Sequence, residues 1–210
     1  MTEDNYPTIE IMVSEAVGLL KELITIPSIS REEAKAADKL EAFMIEKGLT
    51  THREGNNIWS MHEPFDNNKP TLLLNAHIDT VKPASSWQHD PFTPAIEDDK
   101  LFGLGSNDCG GGLVSLLQAF RILKDLNSPY NLVYLASAEE EVSGKDGISR
   151  VIPLLPKIDV AIVGEPTSMQ PAIAEKGLMV IDAVAHGKSG HAARNEGLNA
   201  IYIAIDDIEW

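Results

Sequence analysis

The chain has 210 residues, 43% of them hydrophobic and 23% charged, enough to bury the core of one large domain, or of one domain plus part of another. Its formal net charge of -15 and pI near 4.7 set up a field that repels phosphate, which argues against nucleic acid and anionic membranes as partners. A single cysteine, Cys109, excludes an internal disulfide and points to a reducing compartment; with no apolar run long enough to span a bilayer and no apolar signal core in residues 1–5, the chain reads as cytoplasmic.

From the N-terminus, Val13, Val17, Leu20 and Ile24 form a helical stripe over 7–23. Ser30 followed by Glu33 has the spacing of a capping box, which predicts a second helix through Ala34, Ala37, Leu40 and Met44, stopped at Gly48. Strand-like runs follow at 58–61 and 72–76. A glycine-rich turn then leads into a helical pattern over 113–126, followed by a strand over 131–138, a helix over 148–155 and a strand over 159–164. This alternation predicts an α/β fold with a mostly parallel central sheet and helices on both faces. The pattern shifts at Glu175-Lys176-Gly177, after which 178–186 looks like a strand, 187–191 a flexible turn and 199–210 a helix. We therefore expect a catalytic, metal-binding domain over 1–175. Residues 176–210 read as the beginning of an α+β lid or dimerisation domain, too short to be stable alone.

The run 72–81 is apolar until it ends in His77 and Asp79, and such strand ends are where α/β enzymes keep their chemistry. Two apart on a strand, the two side chains share one face, so the carboxylate can hold the imidazole or a metal beside it. Further acids sit in the same relation to other runs. The strand at 131–138 is followed by Glu139-Glu140-Glu141, the strand at 159–164 by Glu165, and Asp108 lies inside the glycine-rich turn. One histidine and several carboxylates thus converge on one sheet edge, where clustered like charges need a cation. The donor set suits zinc, or manganese or cobalt. Rival motifs are weaker: Gly103 and Gly105 suggest a dinucleotide loop, but its third glycine is replaced by Asp108, which would repel pyrophosphate.

In order, NAHIDTV, GLGSNDCGGG, SAEEE, VGEPT and GKSGHAA resemble the co-catalytic zinc amidohydrolases and peptidases that include acetylornithine deacetylase, succinyl-diaminopimelate desuccinylase, aminoacylase and glutamate carboxypeptidase, with the acetylornithine deacetylase branch nearest. The resemblance spans roughly 72–191. It implies two divalent ions: His77 and Glu165 on one, Glu140 on the other, and Asp108 bridging them. It also implies Asp79 orienting His77, Glu139 as general base, and His191 steadying the oxyanion across a dimer interface. A cis peptide at Asp108-Cys109 is expected on the same ground.

The activity so implied is hydrolysis of a small N-acylated amino acid by metal-activated water, acetylornithine foremost, with succinylated amino acids or dipeptides next. A protein that binds metal without turnover is the alternative of another class. Arg194, beside His191, is a weak candidate for a substrate carboxylate. Cys109 reads as a small buried residue under the site rather than a ligand. The resemblance also requires a late histidine on the second metal that nothing in this sequence matches, so the chain reads as a piece of a longer protein.

Overall fold

The computed structural model describes residues 8–174, 176–177, 179–194 and 196–210. They fall into two units, one ending at Met169 and one spanning Gln170–Trp210. In the first unit, Thr8 caps helix α1 (Ile9–Ile24) by accepting from the Ile11 N–H at 3.5 Å. The buried stripe of α1 is Met12, Ala16, Leu19, Leu20 and Ile24, whereas Val13, expected inside, is 55% exposed. Both stripes fit a 3.6-residue period, and the one used puts Ala16 and Leu19 in the main core.

Helix α2 (Ala34–Glu46) lacks the expected capping box: Glu33 is its N-cap residue but makes no side-chain cap bond. Ser30 and Glu33 face away from the helix, toward the loops described below. Strands β1 (His52–Glu54) and β2 (Asn57–Met61) form an antiparallel hairpin. Its two-residue loop, Gly55-Asn56, permits only an antiparallel return, and Gly55 has the positive φ of 61° that such turns require.

The chain continues through β3 (Thr71–His77), a small hairpin of β4 (Ala95–Glu97) and β5 (Lys100–Phe102), helix α3 (Gly112–Leu123), β6 (Asn131–Ser137), the short α4 (Ile148–Val151) and β7 (Val160–Val163). The main sheet has the order β1-β2-β6-β3-β7. Strand β3 runs parallel to β6 and β7 as expected, and β2 pairs antiparallel to β6, so the sheet is a mixed one built on a parallel β6-β3-β7 half.

All seven residues of β6 are buried, because both of its faces are covered. On one face Leu132, Tyr134 and Ala136 join α1, α2 and α3 in the main core. On the other, Val133 and Leu135 meet Trp59, Leu73 and Val151, with Leu155 and Ile158 packed against them. At the sheet edge, β7 is exposed along its length.

In the second unit, Asn199 Oδ1 accepts from the Ile201 N–H at 3.0 Å and caps helix α5 (Ala200–Glu209). The strand expected over 178–186 is not formed by its described residues 179–186: Met179, Val180 and Ile181 are at least 75% exposed, with no partner to complete a ladder. Leu178, like Glu175 at the expected boundary, lies outside the described residues.

Candidate metal centre

Three parallel strands deliver the candidate residues because their register is fixed. His77 pairs with Ser137, and the Gly164 N–H donates to the Asn75 carbonyl at 2.8 Å. The chain therefore leaves the sheet at Asp79, at Glu139 and at Glu165 along one carboxyl edge. Asp108 reaches the same edge from the turn Ser106–Gly111 that precedes α3, and its peptide bond to Cys109 is cis, as expected. Gly112, at the start of α3, lies against the Gly164 backbone: a Cβ there would stand 1.9 Å from the Gly164 carbonyl oxygen. This close approach sets Asp108 and Glu165 side by side.

His77 is the centre of the cluster, with its side chain 1% exposed. Its Nε2 lies 3.1 Å from Asp108 Oδ1, 3.6 Å from Glu165 Oε1 and 3.9 Å from Glu140 Oε2. Among the described residues, these three carboxylates have no ion-pair partner other than His77. Two sets of ligand atoms lie within 4.8 Å of one another, one from His77, Asp108 and Glu141, the other from His77, Cys109 and Glu165.

On the far side of the ring, Nδ1 is 2.9 Å from the Asp79 carbonyl oxygen and 3.5 Å from its carboxylate. Nδ1 donates to that carbonyl, so Nε2 is the nitrogen turned to the acids, bonded to Asp108 while it carries a proton and able to ligate a metal once it gives that proton up. The Asp79 carboxylate is occupied otherwise. It accepts from Ser30 Oγ at 2.7 Å and from the N–H groups of Glu140 and Glu141 at 3.0 and 3.1 Å.

The electrostatics of the cluster favour positive charge. Burial alone would lower the His77 pKa, but Asp79, Glu165 and Asp108 outweigh it and raise it to about 9. Burial and the neighbouring carboxylates push Glu165 and Glu141 above their ordinary range. Burial likewise tends to raise Asp79, yet His77, Ser30 and the two N–H groups hold it below its usual value. Burial, then the charges of Glu165, Asp108 and Glu140, push the Cys109 thiol up to about 12. Cys109 is 1% exposed and donates to the Gly164 carbonyl at 3.2 Å, the bonding of a neutral thiol in a wall.

The glutamate triplet is arranged differently from expectation. Glu139 has a left-handed backbone (φ 54°, ψ 27°), and its Oε2 accepts from the Asp146 N–H at 3.4 Å. A Cβ on Gly144 would stand 1.9 Å from that same oxygen, so this glycine makes the room into which Glu139 turns. Glu140 and Glu141 take the places beside His77 instead. Sequence reasoning gave Glu141 no role, although a run of three acids leaves its register open by one residue.

In the second unit, His191 is exposed, its Nδ1 accepting from the Ala193 N–H at 3.3 Å. Arg194 lies 3.9 Å from Glu196, and its side chain is 70% exposed.

A carboxylate-rich pocket around one histidine, at the carboxyl edge of parallel strands, defines a candidate divalent-metal centre on an α/β scaffold. The model of peptidase family M20/M25/M40 matches residues 73–198, more than half of the chain, and the chain belongs to that family. An acetylornithine deacetylase of Proteus mirabilis is 32% identical over 207 residues, covering 91% of this chain and 53% of the relative. A succinyl-diaminopimelate desuccinylase of Wolbachia pipientis is 29% identical over 210 residues, with 92% and 53% covered. A solved metallo-carboxypeptidase of Sulfolobus solfataricus superposes with a TM-score of 0.59 at 27% identity, over 71% of this chain and 37% of that one. The chain spans about half the length of the curated relatives it matches. No helix among the described residues is long and apolar enough to cross a membrane.

Proposed function

We propose that this protein hydrolyses the amide bond of a small N-acylated amino acid at a pair of divalent ions, zinc foremost and cobalt or manganese next. The observation that carries this reading is a buried imidazole whose Nε2 faces Asp108, Glu140 and Glu165 within 3.9 Å with no other counter-charge among the described residues. In this reading His77, Asp108, Glu141 and Glu165 would hold the ions, with His77 and Glu165 serving one and Glu141 the other. Bound there, the ions would supply Lewis acidity to a water and to the substrate carbonyl.

The chain's own residues do the rest. Asp79 fixes the His77 ring through its backbone carbonyl and keeps Nε2 turned to the cluster. Glu140 is the proton carrier, taking a proton from the attacking water and returning it to the departing amine. Assigning the base to Glu140 and the ligand to Glu141, one residue later than the sequence suggests, is supported by the turn of Glu139 toward Asp146 and Gly144. His191 is the candidate to steady the oxyanion and Arg194 to meet a substrate carboxylate, within a homodimer formed through the second unit.

Acetylornithine is the first substrate to test, given the similarity to the Proteus mirabilis deacetylase. Succinylated amino acids and dipeptides follow. Zinc titration combined with hydrolysis assays on these three substrate types, using the full-length protein, tests the proposal. Turnover that needs added metal and is lost on chelation is the expected result. Tight metal binding with no hydrolysis of any of them would replace the enzyme with a metal-binding module.

A further inference from the structure

Beneath Glu140 and Glu141, four consecutive backbone N–H groups of one turn each meet a separate side-chain oxygen. Ala138 N–H donates to Asn57 Oδ1 at 3.0 Å and Glu139 N–H to Glu33 Oε1 at 3.2 Å. The next two go to the two carboxylate oxygens of Asp79, at 3.0 and 3.1 Å. The three acceptor residues come from separate stretches of chain and are enclosed, Glu33 and Asn57 at 0% and Asp79 at 1% exposure. Side chains so deeply buried persist only when their lone pairs are used.

Glu33 is the least expected of them. Its Oε1 also accepts from the Arg31 N–H at 2.7 Å, and its Oε2 accepts from Asn56 Nδ2 at 2.9 Å. No cation pairs with it among the described residues, so three N–H donors stand in for a counter-ion. Asn57 turns its Nδ2 to the carbonyls of Glu54, at 3.0 Å, and Asp146, at 2.8 Å, which ties down the far end of the same loop. Between these anchors Glu139 sits in the left-handed region, a backbone that a non-glycine residue keeps only when held from outside.

We propose that Glu33 and Asn57 are positioning residues that lock the turn carrying Glu140 and Glu141, and that Asp79 couples this locked turn to His77. Through Glu33, the loop before α2 becomes part of the site's supporting shell. The inference rests on the reading of Glu140 and Glu141 given above, but the rigidity of the turn is measurable without metal or turnover.

The test compares Glu33→Ala and Glu33→Gln with the parent protein, by native amide hydrogen exchange resolved by peptide and by zinc affinity against a chromophoric chelator. In Glu33→Ala the 138–144 peptide should exchange faster while α3 peptides stay unchanged, and zinc should bind about 10- to 100-fold more weakly, the usual effect of losing an outer-shell partner. Glu33→Gln should recover most of both. Its carbonyl can keep the two backbone donors, while the Asn56 amide flips to offer its oxygen to the new NH2 group. If Glu33→Ala does not fold, Asn56→Ala carries the same comparison with a smaller effect, since it removes only one donor. A turn as protected as in the parent, or uniform loosening across α2, β2 and the turn, would overturn the proposal. A loosened turn with unchanged zinc affinity would keep the clamp but sink the metal role of the glutamates, and the positioning role with it.

Discussion

At the residue scale, the glutamate triplet gives the sharpest contrast. In the full-length protein, Glu140→Gln should keep its metal and lose turnover by about 100- to 10,000-fold, the usual effect of removing a general base. Glu139→Gln should change both only modestly, because its carboxylate accepts one long bond, 3.4 Å, from the Asp146 N–H. Metal analysis and steady-state kinetics on the same samples decide between them, and the reverse ranking would return the base to Glu139. This one-residue ambiguity shows what the sequence could and could not tell. His77 and Glu165 stand out in the sequence because each is the first histidine or acid after an apolar run, and Asp108 because it is the one acid in the glycine-rich turn, so no neighbour competes for the place. Within Glu139-Glu140-Glu141 every residue is chemically equal, and a single left-handed residue decides which two face the site. Ser30 and Glu33 were legible as polar residues at a helix start, but not their partners, which lie 49 and 106 positions away.

At the scale of elements, the expected helices and strands formed where periodicity and turn residues agreed, as for β3, β6 and α3. The antiparallel β1–β2 hairpin, which makes the sheet mixed, had only Gly55-Asn56 to announce it. Two contacts between elements lend themselves to measurement. A methyl group at Gly112 would meet the Gly164 carbonyl oxygen at 1.9 Å, backbone against backbone, where no rotamer can yield. Gly112→Ala should therefore destabilise by about 1–3 kcal/mol or more, read from urea midpoints. Gly18→Ala is the control, since on α1 nothing lies within 4 Å of its added carbon; it should stabilise by about 0.5–1 kcal/mol.

The second contact is Glu15, which joins α1 to the end of α2 and to α3 by accepting from Lys47 Nζ at 2.9 Å and Arg121 Nη1 at 2.6 Å. Burial raises its pKa, but Arg121 and Lys47 outweigh it and hold it below the ordinary 4.5. A depressed carboxylate stabilises the fold above its unfolded value and loses that contribution as pH falls through the folded one. Glu15→Gln should thus be less stable than the parent by about 1–2 kcal/mol at neutral pH. The gap should close in acid, below about pH 4.5; a gap that stays constant with pH would show that packing, not charge, is responsible.

For the whole molecule, a divalent cation held as proposed by the carboxylates around His77 would bind the folded chain and not the unfolded one. Zinc at about 100 times its dissociation constant should add about 2.7 kcal/mol. For a chain of this size that is a rise of roughly 5–10 °C in Tm. Differential scanning calorimetry with zinc, and again after chelation, checks it; an unchanged Tm would mean that the acids tolerate one another without metal. The clamp beneath the glutamates also orders events in time. Its hydrogen bonds span 61 to 106 positions, and in each of them the acceptor is synthesised well before the donor. Glu33, Asn57 and Asp79 therefore emerge from a ribosome with their intended partners not yet made, and the proposed centre lacks a ligand until residue 165 has followed. Metal met during translation would find the proposed ligands not yet together, so tight binding is expected only once these long loops have closed, which would make a tightly held ion a readout of completed folding.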